Sequence, residues 1–406
     1  MTDVPARLEE IRRAGLHRRL RLIEGRQGPR VLLDGAEVLL LCSNNYLGLA
    51  DHPKVRSAAA DAAERYGAGA GASRLISGTM SLHRTLEQRL ADFIGTESAL
   101  VFGSGYLANT GTIAALAGRG DVVFSDELNH ASIIDGTRLS RAETFVYRHR
   151  DTEHLEWGLR KAGSRAALIV TDSVFSMDGD LAPLPDLAQV AKRHRCLLMV
   201  DEAHGTGVLG PGGRGAVAAA GLTGRVDVVV GTLGKSLGSY GAYVCASRQI
   251  ADLLVNTARP FIFSTAPPPP SIGAALAALG LLRARPGMVE QLRRNAGLLR
   301  ESLAGYGLDL GGSRTQIVPV MVGDARRAVA LCEHVLERRV FAQAIRPPTV
   351  PDGTSRLRLA VMATHAADDL RSAARVIGHA ALELGIADLP AGRAATGEHG
   401  RVRYAA

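Results

Sequence analysis

Two polar segments each follow a run of buried-type residues in the middle of the chain. Asp201–Gly205 closes a Leu-Leu-Met-Val strand, and Gly231–Lys235 closes a Val-Val-Val strand. In an open α/β sheet, ligands bind in the crevice outside the carboxyl ends of the strands. The sequence therefore predicts that an acid, an imidazole and an amine, from Asp201, His204 and Lys235, meet in one crevice.

These three groups suit an aldehyde cofactor that carries a pyridine ring. A desolvated lysine amine loses proton affinity and can then form a Schiff base with an aldehyde, which is the role predicted for Lys235. A fixed carboxylate, Asp201, can pair with a protonated ring nitrogen and keep the ring electron-poor. His204 is placed to donate a hydrogen bond to the phenolic oxygen of such a ring. The cofactor predicted from these groups is pyridoxal 5′-phosphate (PLP).

Two strand-to-helix turns add candidate cofactor ligands. Gly105 and Tyr106 follow the predicted strand Ala99–Phe102 and open a helix, where backbone amides bind phosphate and glycine permits close approach. Thr232 could donate its hydroxyl to the same phosphate. His130 opens another helix and could stack over the ring and hold the substrate. A plain turn at Gly105 and a helix-capping or core histidine are the structural alternatives.

Phosphate loops of two other protein classes are not matched. Gly234–Ser236 resembles the end of a nucleotide-hydrolase P-loop, but that loop needs a glycine where this chain has Val229. The glycine-rich segment Gly67–Arg74 follows a helical stretch and not a strand, which disfavours a dinucleotide-binding turn. Taken singly, the acid, imidazole and amine could be a helix cap, a satisfied core group and a solvated charge. Their order along the chain favours a shared site.

Composition restricts the class of protein. The chain has 406 residues, 46% hydrophobic and 22% charged, which is typical of a globular enzyme with two or three domains. The net charge of +8 is spread over scattered arginines, so we expect anionic substrates and no nucleic-acid partner. Four widely separated cysteines predict neither a metal site nor disulfides, and residues 1–20 mix Arg and Glu without the apolar run expected of a signal peptide or membrane span. These features favour the cytoplasm.

The elements that must position these residues indicate an α/β fold. Short Val/Leu-rich runs without polar alternation alternate with helical patterns, which predicts a mostly parallel seven-stranded sheet sandwiched by helices. The predicted strands are Ala99–Phe102, Val122–Ser125, Thr144–Tyr147, Ala167–Thr171, Cys196–Val200, Val226–Val230 and Ala242–Cys245.

The domain organisation follows from shifts in pattern. Residues 1–45 are predicted to form a helical arm that ends in a strand pair around the turn Asp34–Gly35. Residues 46–285 form the large cofactor domain, and one long helix from Ile272 to Gly305 leads into a small α+β domain, residues 286–386. Residues 387–406 lack periodicity, and we expect a disordered tail there.

These motifs together resemble the α-oxoamine synthases, a branch of the fold-type I PLP enzymes. The similarity runs from about residue 16 to residue 386. It rests on Ser43–Leu49, Ser73–Arg74, Ser77–Gly78, His130–Ser132, Ser176–Asp180, Asp201–Gly207 and Thr232–Lys235. As a set, these segments are highly specific for the family.

The resemblance implies a PLP-dependent acyltransferase that works as a homodimer with shared active sites. The catalytic residues it implies are Lys235, His130, Asp201 and His204. The cofactor ligands it implies are Lys235, Gly105, Tyr106, His130, Ser176, Asp201, His204 and Thr232, joined by Ser264 and Thr265 from the second subunit.

The acyl substrate is indicated by a segment near the C-terminus. Ala344–Pro351, followed by Arg356–Leu359, is similar to the family members of biotin biosynthesis that condense L-alanine with a pimeloyl thioester. The carrier can be coenzyme A or acyl carrier protein. The substrate-binding residues implied are Arg18, Asn44, His130, Arg346, Thr349 and Arg358, the last as a bidentate ligand of the amino-acid carboxylate.

Several alternatives remain open at this point. Arg18 could be an ordinary surface arginine of a basic helical arm. Glycine C-acetyltransferase, 5-aminolevulinate synthase and serine palmitoyltransferase share the same core. A PLP-binding protein that has lost catalysis would keep the same motifs.

Overall fold

A seven-stranded sheet forms the centre of the structure, a computed structural model that describes residues 3–387. Six strands run in the same direction, and the remaining one, β10 (Ala242–Ala246), is antiparallel to both of its neighbours. The strands in spatial order are β4 (Ser98–Phe102), β10 (Ala242–Ala246), β9 (Val228–Thr232), β8 (Leu197–Asp201), β7 (Ala166–Asp172), β5 (Val122–Asp126) and β6 (Glu143–Tyr147). All seven predicted strands are confirmed, with ends that shift by one or two residues.

Helices cover both faces of this sheet, because successive strand residues point into opposite cores. In β5, for example, Val123 packs into one core and Phe124 into the other. The helices and short helical segments on the Phe124 side are α2 (Pro53–Tyr66), α3 (Ser81–Ile94), α6 (Thr152–Ala162), α7 (Leu184–His194), α8 (Ala216–Ala219) and α11 (Pro269–Ala284). Those on the Val123 side are α4 (Gly105–Leu116), α5 (Ala131–Ser140), α9 (Arg248–Thr257) and α10 (Arg259–Ile262).

A smaller antiparallel sheet lies in the C-terminal part of the chain. Its strands, in spatial order, are β11 (Ile317–Gly323), β14 (Ser355–Ala360) and β13 (Gln343–Ile345). The helices of this part are α12 (Gly287–Ala304), α13 (Ala325–Glu337) and α14 (Ala367–Glu383). These elements match the predicted α+β pattern, while the exact domain boundaries stay a prediction. The predicted tail lies outside the described residues from residue 388 onward.

The N-terminal segment is joined to this C-terminal part through a third sheet. The N-terminal segment contains one helix, α1 (Val4–Arg13), and the strands β1 (Ile23–Glu24), β2 (Arg30–Leu33) and β3 (Ala36–Leu40). The predicted turn is present, with positive φ at both Asp34 and Gly35, as a two-residue hairpin requires. Strand β12 (Val340–Phe341), which we did not predict, pairs in parallel with β3.

The prediction of one continuous helix from Ile272 to Gly305 is wrong. The structure divides this stretch into α11 and α12, which meet at an angle of 82°. Pro286 lies between them, and its ring cannot continue a helix because it lacks an N–H and clashes with the preceding turn. Within residues 3–387 no single helix has the length and apolar composition to span a membrane, and this bent pair meets the criterion only when its members are joined.

A buried ion pair ties α3 to the edge strand β4. Arg74 Nη1 lies 2.8 Å from Glu87 Oε1, and the side chains are 5% and 7% exposed. Glu87 Oε1 also accepts the backbone N–H of Val101 at 3.0 Å, and Arg74 donates to the carbonyl oxygen of the same residue. Each charge therefore depends on the other to offset the cost of its removal from water.

Removal of one charge, by Arg74→Met or Glu87→Leu, is expected to lower the free energy of unfolding by about 3–5 kcal/mol, because the remaining charge stays buried without its partner. The double variant is expected to regain part of this loss, since no buried charge remains. Urea unfolding measures both effects. The exposed pair Glu290–Arg293 serves as a control, where the same changes should cost less than about 0.5 kcal/mol. A double variant less stable than either single variant would contradict this account.

Candidate active site

Three neighbouring strands end in polar residues at the same edge of the large sheet. Strands β7, β8 and β9 end at Asp172, Asp201 and Thr232, and the Cα atoms of the two acids lie side by side in the parallel register. The first turns of α4 and α5 reach the same edge. Together they enclose a cavity of about 210 Å³. It is lined by Gly105, Tyr106, Asn109, His130, Ser132, Asp172, Asp201, Ala203, His204, Thr232 and Lys235.

Most of the predicted cofactor ligands are therefore brought together in one place. Asp201 and Lys235, on which the chemistry depends, line the same cavity. Asn109, Ser132, Asp172 and Ala203 are the lining residues that were not predicted. The three polar residues among them, Asn109, Ser132 and Asp172, were missed because their side chains have no distinctive spacing in the sequence.

The Lys235 amine is buried and lies 2.8 Å from His204 Nε2. Burial lowers the pKa of Lys235 from its ordinary value of 10.5 to about 8, and this effect outweighs the opposing charges of Asp201 and Asp172. The positive charge of Arg358 acts in the same direction as burial. About a tenth of the amine is therefore unprotonated at pH 7 and able to attack an aldehyde.

A chain of hydrogen bonds extends from Lys235 to Arg358 through His204. His204 Nδ1 lies 2.6 Å from the Tyr46 hydroxyl, which donates to Asn44 Oδ1 at 3.0 Å. The same Asn44 oxygen accepts from Arg358 Nη2 at 3.3 Å. Burial lowers the pKa of His204 well below its ordinary value, so the ring is neutral.

The direction of these bonds fixes the protons on His204. Because the Tyr46 proton points to Asn44, the His204 Nδ1–H donates to the tyrosine oxygen, and Nε2 accepts from Lys235. In this state Nε2 has no proton for the predicted donation to a ring oxygen. Tyr46 was not singled out in the sequence, although it lies inside the family segment Ser43–Leu49.

The carboxylate of Asp201 is held by two donors. Its Oδ1 accepts the backbone N–H of Ala203 at 2.8 Å, and its Oδ2 accepts from Asn109 Nδ2 at 2.7 Å. Both bonds hold the carboxylate, the group predicted to pair with a protonated ring nitrogen. The backbone N–H of His130 donates to Asp172 Oδ2 at 2.8 Å. The His130 side chain caps α5 by accepting the backbone N–H of Ser132, and His130 also lines the cavity.

The first turn of α4 forms the anion-binding end of the cavity. Ser104 caps the helix through Leu107, so the N–H groups of Gly105 and Tyr106 have no intrahelical acceptor. A side chain built on Gly105 would meet no atom within 4 Å, which leaves room for a phosphate. The Tyr106 hydroxyl donates to Asp135, and the Thr232 hydroxyl donates to the carbonyl of Gly241 at 3.1 Å. The free backbone amides are therefore the donors available to a phosphate.

Three of the predicted cofactor ligands, Ser176, Ser264 and Thr265, lie away from the lining of this cavity. Ser176 accepts Arg358 Nε at 2.6 Å through its carbonyl oxygen, and Arg358 reaches the cavity only through the chain described above. Ser264 is partly buried and Thr265 is exposed, where Thr265 forms an isolated bridge with Ser73. Their predicted role in a second subunit stays a prediction.

The three predicted acyl-substrate residues share a second pocket. Arg18, Arg346 and Thr349 line a volume of about 400 Å³. Its remaining lining residues include the cationic or titratable His17, Arg19 and Arg21 and the acidic Glu333. Arg346 holds the N-terminal segment in place, since Nη2 donates to the His17 carbonyl at 2.8 Å.

A cleft of about 750 Å³ lies beside both the cavity and this pocket. Thr349 lines the cleft as well as the pocket, and Asn129 lines it next to His130. Much of the wall is apolar, with Phe175, Met177, Pro347, Pro348, Val350 and Met321 among its residues. An elongated acyl chain fits a surface of this kind.

The residues present fit PLP and not a metal. An acid, a desolvated amine and a helix N-terminus surround one cavity. The acid can pair with a ring nitrogen, the amine can react with an aldehyde, and the helix N-terminus can bind a phosphate. Among residues 3–387, no group of three or more His, Cys, Asp or Glu side chains is arranged to hold a metal ion.

Comparison with known proteins gives matches over nearly the whole chain. A relative from Citrifermentans bemidjiense named 8-amino-7-oxononanoate synthase is 56% identical over 382 residues, which cover 93% of this chain and 98% of that protein. A solved structure of serine palmitoyltransferase (SPT) with PLP has a TM-score of 0.90 at 34% identity and covers 94% of this chain and 98% of that one. The 8-amino-7-oxononanoate synthase from Francisella tularensis has a TM-score of 0.75 at 28% identity, with 85% and 98% coverage.

The sequence model of aminotransferase class I and II matches residues 36–377, which include every strand of the large sheet and the whole cavity. The named relatives and structural neighbours are α-oxoamine synthases. The chain therefore belongs to the aminotransferase class I and II family and, within it, to the α-oxoamine synthases.

Proposed function

We propose that this chain is a PLP-dependent acyltransferase that condenses L-alanine with a pimeloyl thioester. The products are 8-amino-7-oxononanoate, carbon dioxide and the free thiol of the carrier. The observation that carries the proposal is the 56% identity over nearly full length to a relative named for this reaction. Further relatives with the same name are 51–54% identical over similar lengths.

The cavity residues divide into groups that hold the cofactor and groups that act on the amino acid. When bound, PLP supplies an electron-poor ring that accepts negative charge from the amino acid. Lys235 attaches the cofactor and then takes the α-proton of alanine, for which a pKa of about 8 is well placed. Asp201 pairs with the ring nitrogen and His130 stacks on the ring. Gly105 and Tyr106 bind the phosphate through their backbone amides.

Arg358 is the proposed ligand of the alanine carboxylate. It is 6% exposed and already lies on the hydrogen-bonded chain that leads to Lys235, so its guanidinium faces the same region as the reacting centre. Ser176 and Asn44, which contact it, would hold it in place. Loss of the carboxylate as carbon dioxide would then occur beside a fixed positive charge.

The acyl donor is proposed to occupy the second pocket and the adjoining cleft. Arg18 and Arg346 present positive charge to an anionic carrier arm, and Thr349 lies at the junction of the two spaces. The apolar wall of the cleft suits the methylene chain of a pimeloyl group. The carrier would be coenzyme A or acyl carrier protein, and both bear phosphate.

A homodimer is proposed because the single chain leaves the site unfinished. Ser264 and Thr265 do not line the cavity of their own chain, and apolar side chains such as Ile76 and Phe263 are 81% and 69% exposed. A second copy of the chain could cover these side chains and bring the two hydroxyl groups to the opposite phosphate. The cytoplasm stays the predicted location.

Serine palmitoyltransferase activity is the second candidate, because the serine palmitoyltransferase structure has a TM-score of 0.90 while the 8-amino-7-oxononanoate synthase structure has 0.75. Sequence identity favours the first proposal, at 56% against 34%. Backbone similarity reports the shared fold, whereas substrate choice depends on side chains in the pockets.

A substrate panel distinguishes the two candidates. Purified holoenzyme is expected to release thiol and carbon dioxide in equal amounts from L-alanine with pimeloyl-CoA. L-serine with palmitoyl-CoA, and glycine with acetyl-CoA, should react at least about 100-fold more slowly, because a site specific for one side chain and acyl group loses several contacts with another. Thiol release measured with a chromogenic disulfide, with trapped carbon dioxide, gives the rates. Fast turnover of either alternative pair without turnover of the first would disprove the proposal.

The rate of cofactor capture is expected to depend on the protonation of Lys235. Only the unprotonated amine attacks the aldehyde, so capture of PLP by the cofactor-free protein should rise about tenfold per pH unit and level off above about pH 8. In Asp201→Asn the plateau should begin at a lower pH, because the Asp201 carboxylate raises the pKa of this amine. Stopped-flow absorbance follows the reaction.

Two lysine variants serve as controls for this titration. Lys235→Ala should show no covalent capture at any pH, and Lys192→Ala, which changes an exposed lysine on α7, should behave as the native chain. A midpoint near the ordinary lysine pKa, or an upward shift in Asp201→Asn, would show that desolvation does not control this amine.

A further inference from the structure

Two buried side chains that have no role in the proposed reaction connect His130 to Asp201. Asn109 on α4 is 1% exposed and Ser132 on α5 is fully buried. Asn109 Nδ2 lies 2.7 Å from Asp201 Oδ2 and 2.9 Å from Ser132 Oγ, and Ser132 Oγ lies 2.7 Å from His130 Nδ1. One short chain of hydrogen bonds therefore links Asp201, the proposed partner of the ring nitrogen, to His130, the residue proposed to stack on the ring.

The donor at each position of this chain is fixed by chemistry. An ionised carboxylate only accepts, so the amide nitrogen of Asn109 must face Asp201, and its second hydrogen is available to Ser132 Oγ. The backbone N–H of Ser132 donates to His130 Nδ1 at 3.2 Å, so this nitrogen is an acceptor. The Ser132 hydroxyl, 2.7 Å from the same nitrogen, must therefore be the donor to it.

Two donors therefore converge on the same nitrogen of His130. A nitrogen that accepts two hydrogen bonds cannot carry a proton, so the proton of the neutral ring is on Nε2. The charged and titratable groups around this ring are Asp172, Asp201, Lys235 and His204. Desolvation lowers the pKa of His130 below its ordinary value, while Asp201 opposes this and Lys235 adds to it. The ring is therefore neutral near pH 7.

We propose that Asn109 and Ser132 are positioning residues that hold His130 with its proton on Nε2, so that the ring presents a hydrogen-bond donor to substrate oxygens in the cavity. This inference rests on the proposed function for the identity of the substrates but not for the position of the proton. Asn109 has a second effect, since its amide also donates a hydrogen bond to the Asp201 carboxylate. One amide and one hydroxyl thus connect Asp201 and His130, the two groups proposed to contact the ring.

The position of the proton is directly measurable. Nitrogen-15 NMR of the holoenzyme with labelled histidine separates protonated from bare ring nitrogens, and the variant His130→Asn identifies the His130 signals among the 12 histidines. The native protein is expected to show a protonated Nε2 and a bare Nδ1 at pH 7. A protonated Nδ1 in the native protein would overturn the inference, whatever the substrate proves to be.

Kinetics of Ser132→Ala test the consequence for turnover. We expect kcat with L-alanine and pimeloyl-CoA to fall about 10- to 100-fold, because the donor on Nε2 is no longer held in one form. The affinity for PLP should stay within about twofold of the native value, since attachment of the cofactor does not depend on this proton, and NMR should show part of the ring with its proton on Nδ1, because only the backbone donor at 3.2 Å remains. Ser132→Thr keeps the hydroxyl and should recover part of the lost turnover.

Ser140→Ala is the matched control, because Ser140 is a buried serine on the same helix whose hydroxyl donates only to the Thr137 carbonyl at 2.6 Å. It should leave the His130 tautomer and turnover unchanged. Asn109→Leu should reduce turnover at least as much as Ser132→Ala, since Asp201 loses a partner as well. Native turnover in both Asn109→Leu and Ser132→Ala would overturn the proposed positioning role. If pimeloyl-CoA proves inactive while the predicted proton position is observed, the proposed function falls and the tautomer assignment stands.

Discussion

The parallel alignment of β7, β8 and β9 is the constraint on which the site depends. Because these strands share one register, Asp172 and Asp201 end at the same level, and the segment after β9 brings Lys235 over the same edge. The strands themselves are buried on both faces, so this edge is a place where water is already excluded on most sides. Desolvation of the amine is thus a property of the sheet and not of any single neighbour.

The same exclusion of water explains why the histidines of the site are neutral. His204 and His130 both lose proton affinity where they contact the edge of the sheet, and each then has one donor and one acceptor nitrogen. Hydrogen-bond partners decide which nitrogen is which. Tyr46 performs this function for His204, and Ser132 performs it for His130. Neutral polar residues thereby determine which nitrogen of each histidine donates a hydrogen bond and which accepts one.

Sequence patterns predicted the large sheet because its strands are short, apolar and bounded by turn residues. The same patterns failed where the structure depends on the ring of a single proline or on contacts between residues far apart in the sequence. The single residue Pro286 divides a continuous apolar pattern into two helices, and β12 is too short to give a pattern of its own. Asn109 and Asp201 are 92 residues apart, so their contact arises only from the packing of α4 against the sheet.

The charged members of the site were predictable because an acid, an amine and an imidazole after buried strands are unusual. Asn109, Ser132 and Tyr46 were not, since amides and hydroxyls occur throughout any chain and acquire a role only from their partners. Asp172 is also an acid at the end of a buried strand, but its position beside Asp201 becomes visible only once the strand order is known.

The parallel pairing of β12 with β3 closes the polypeptide on itself. The backbone N–H groups of Leu39 and Leu41 donate to the carbonyl groups of residues 339 and 341. The Arg346 guanidinium donates to the carbonyl groups of Gly15 and His17. Part of the second pocket is therefore built from residues 17–21 and the rest from residues more than three hundred positions later. A protease that cuts just after Arg21, or a start codon used downstream of it, would leave the cavity around Lys235 whole but open the second pocket on one side.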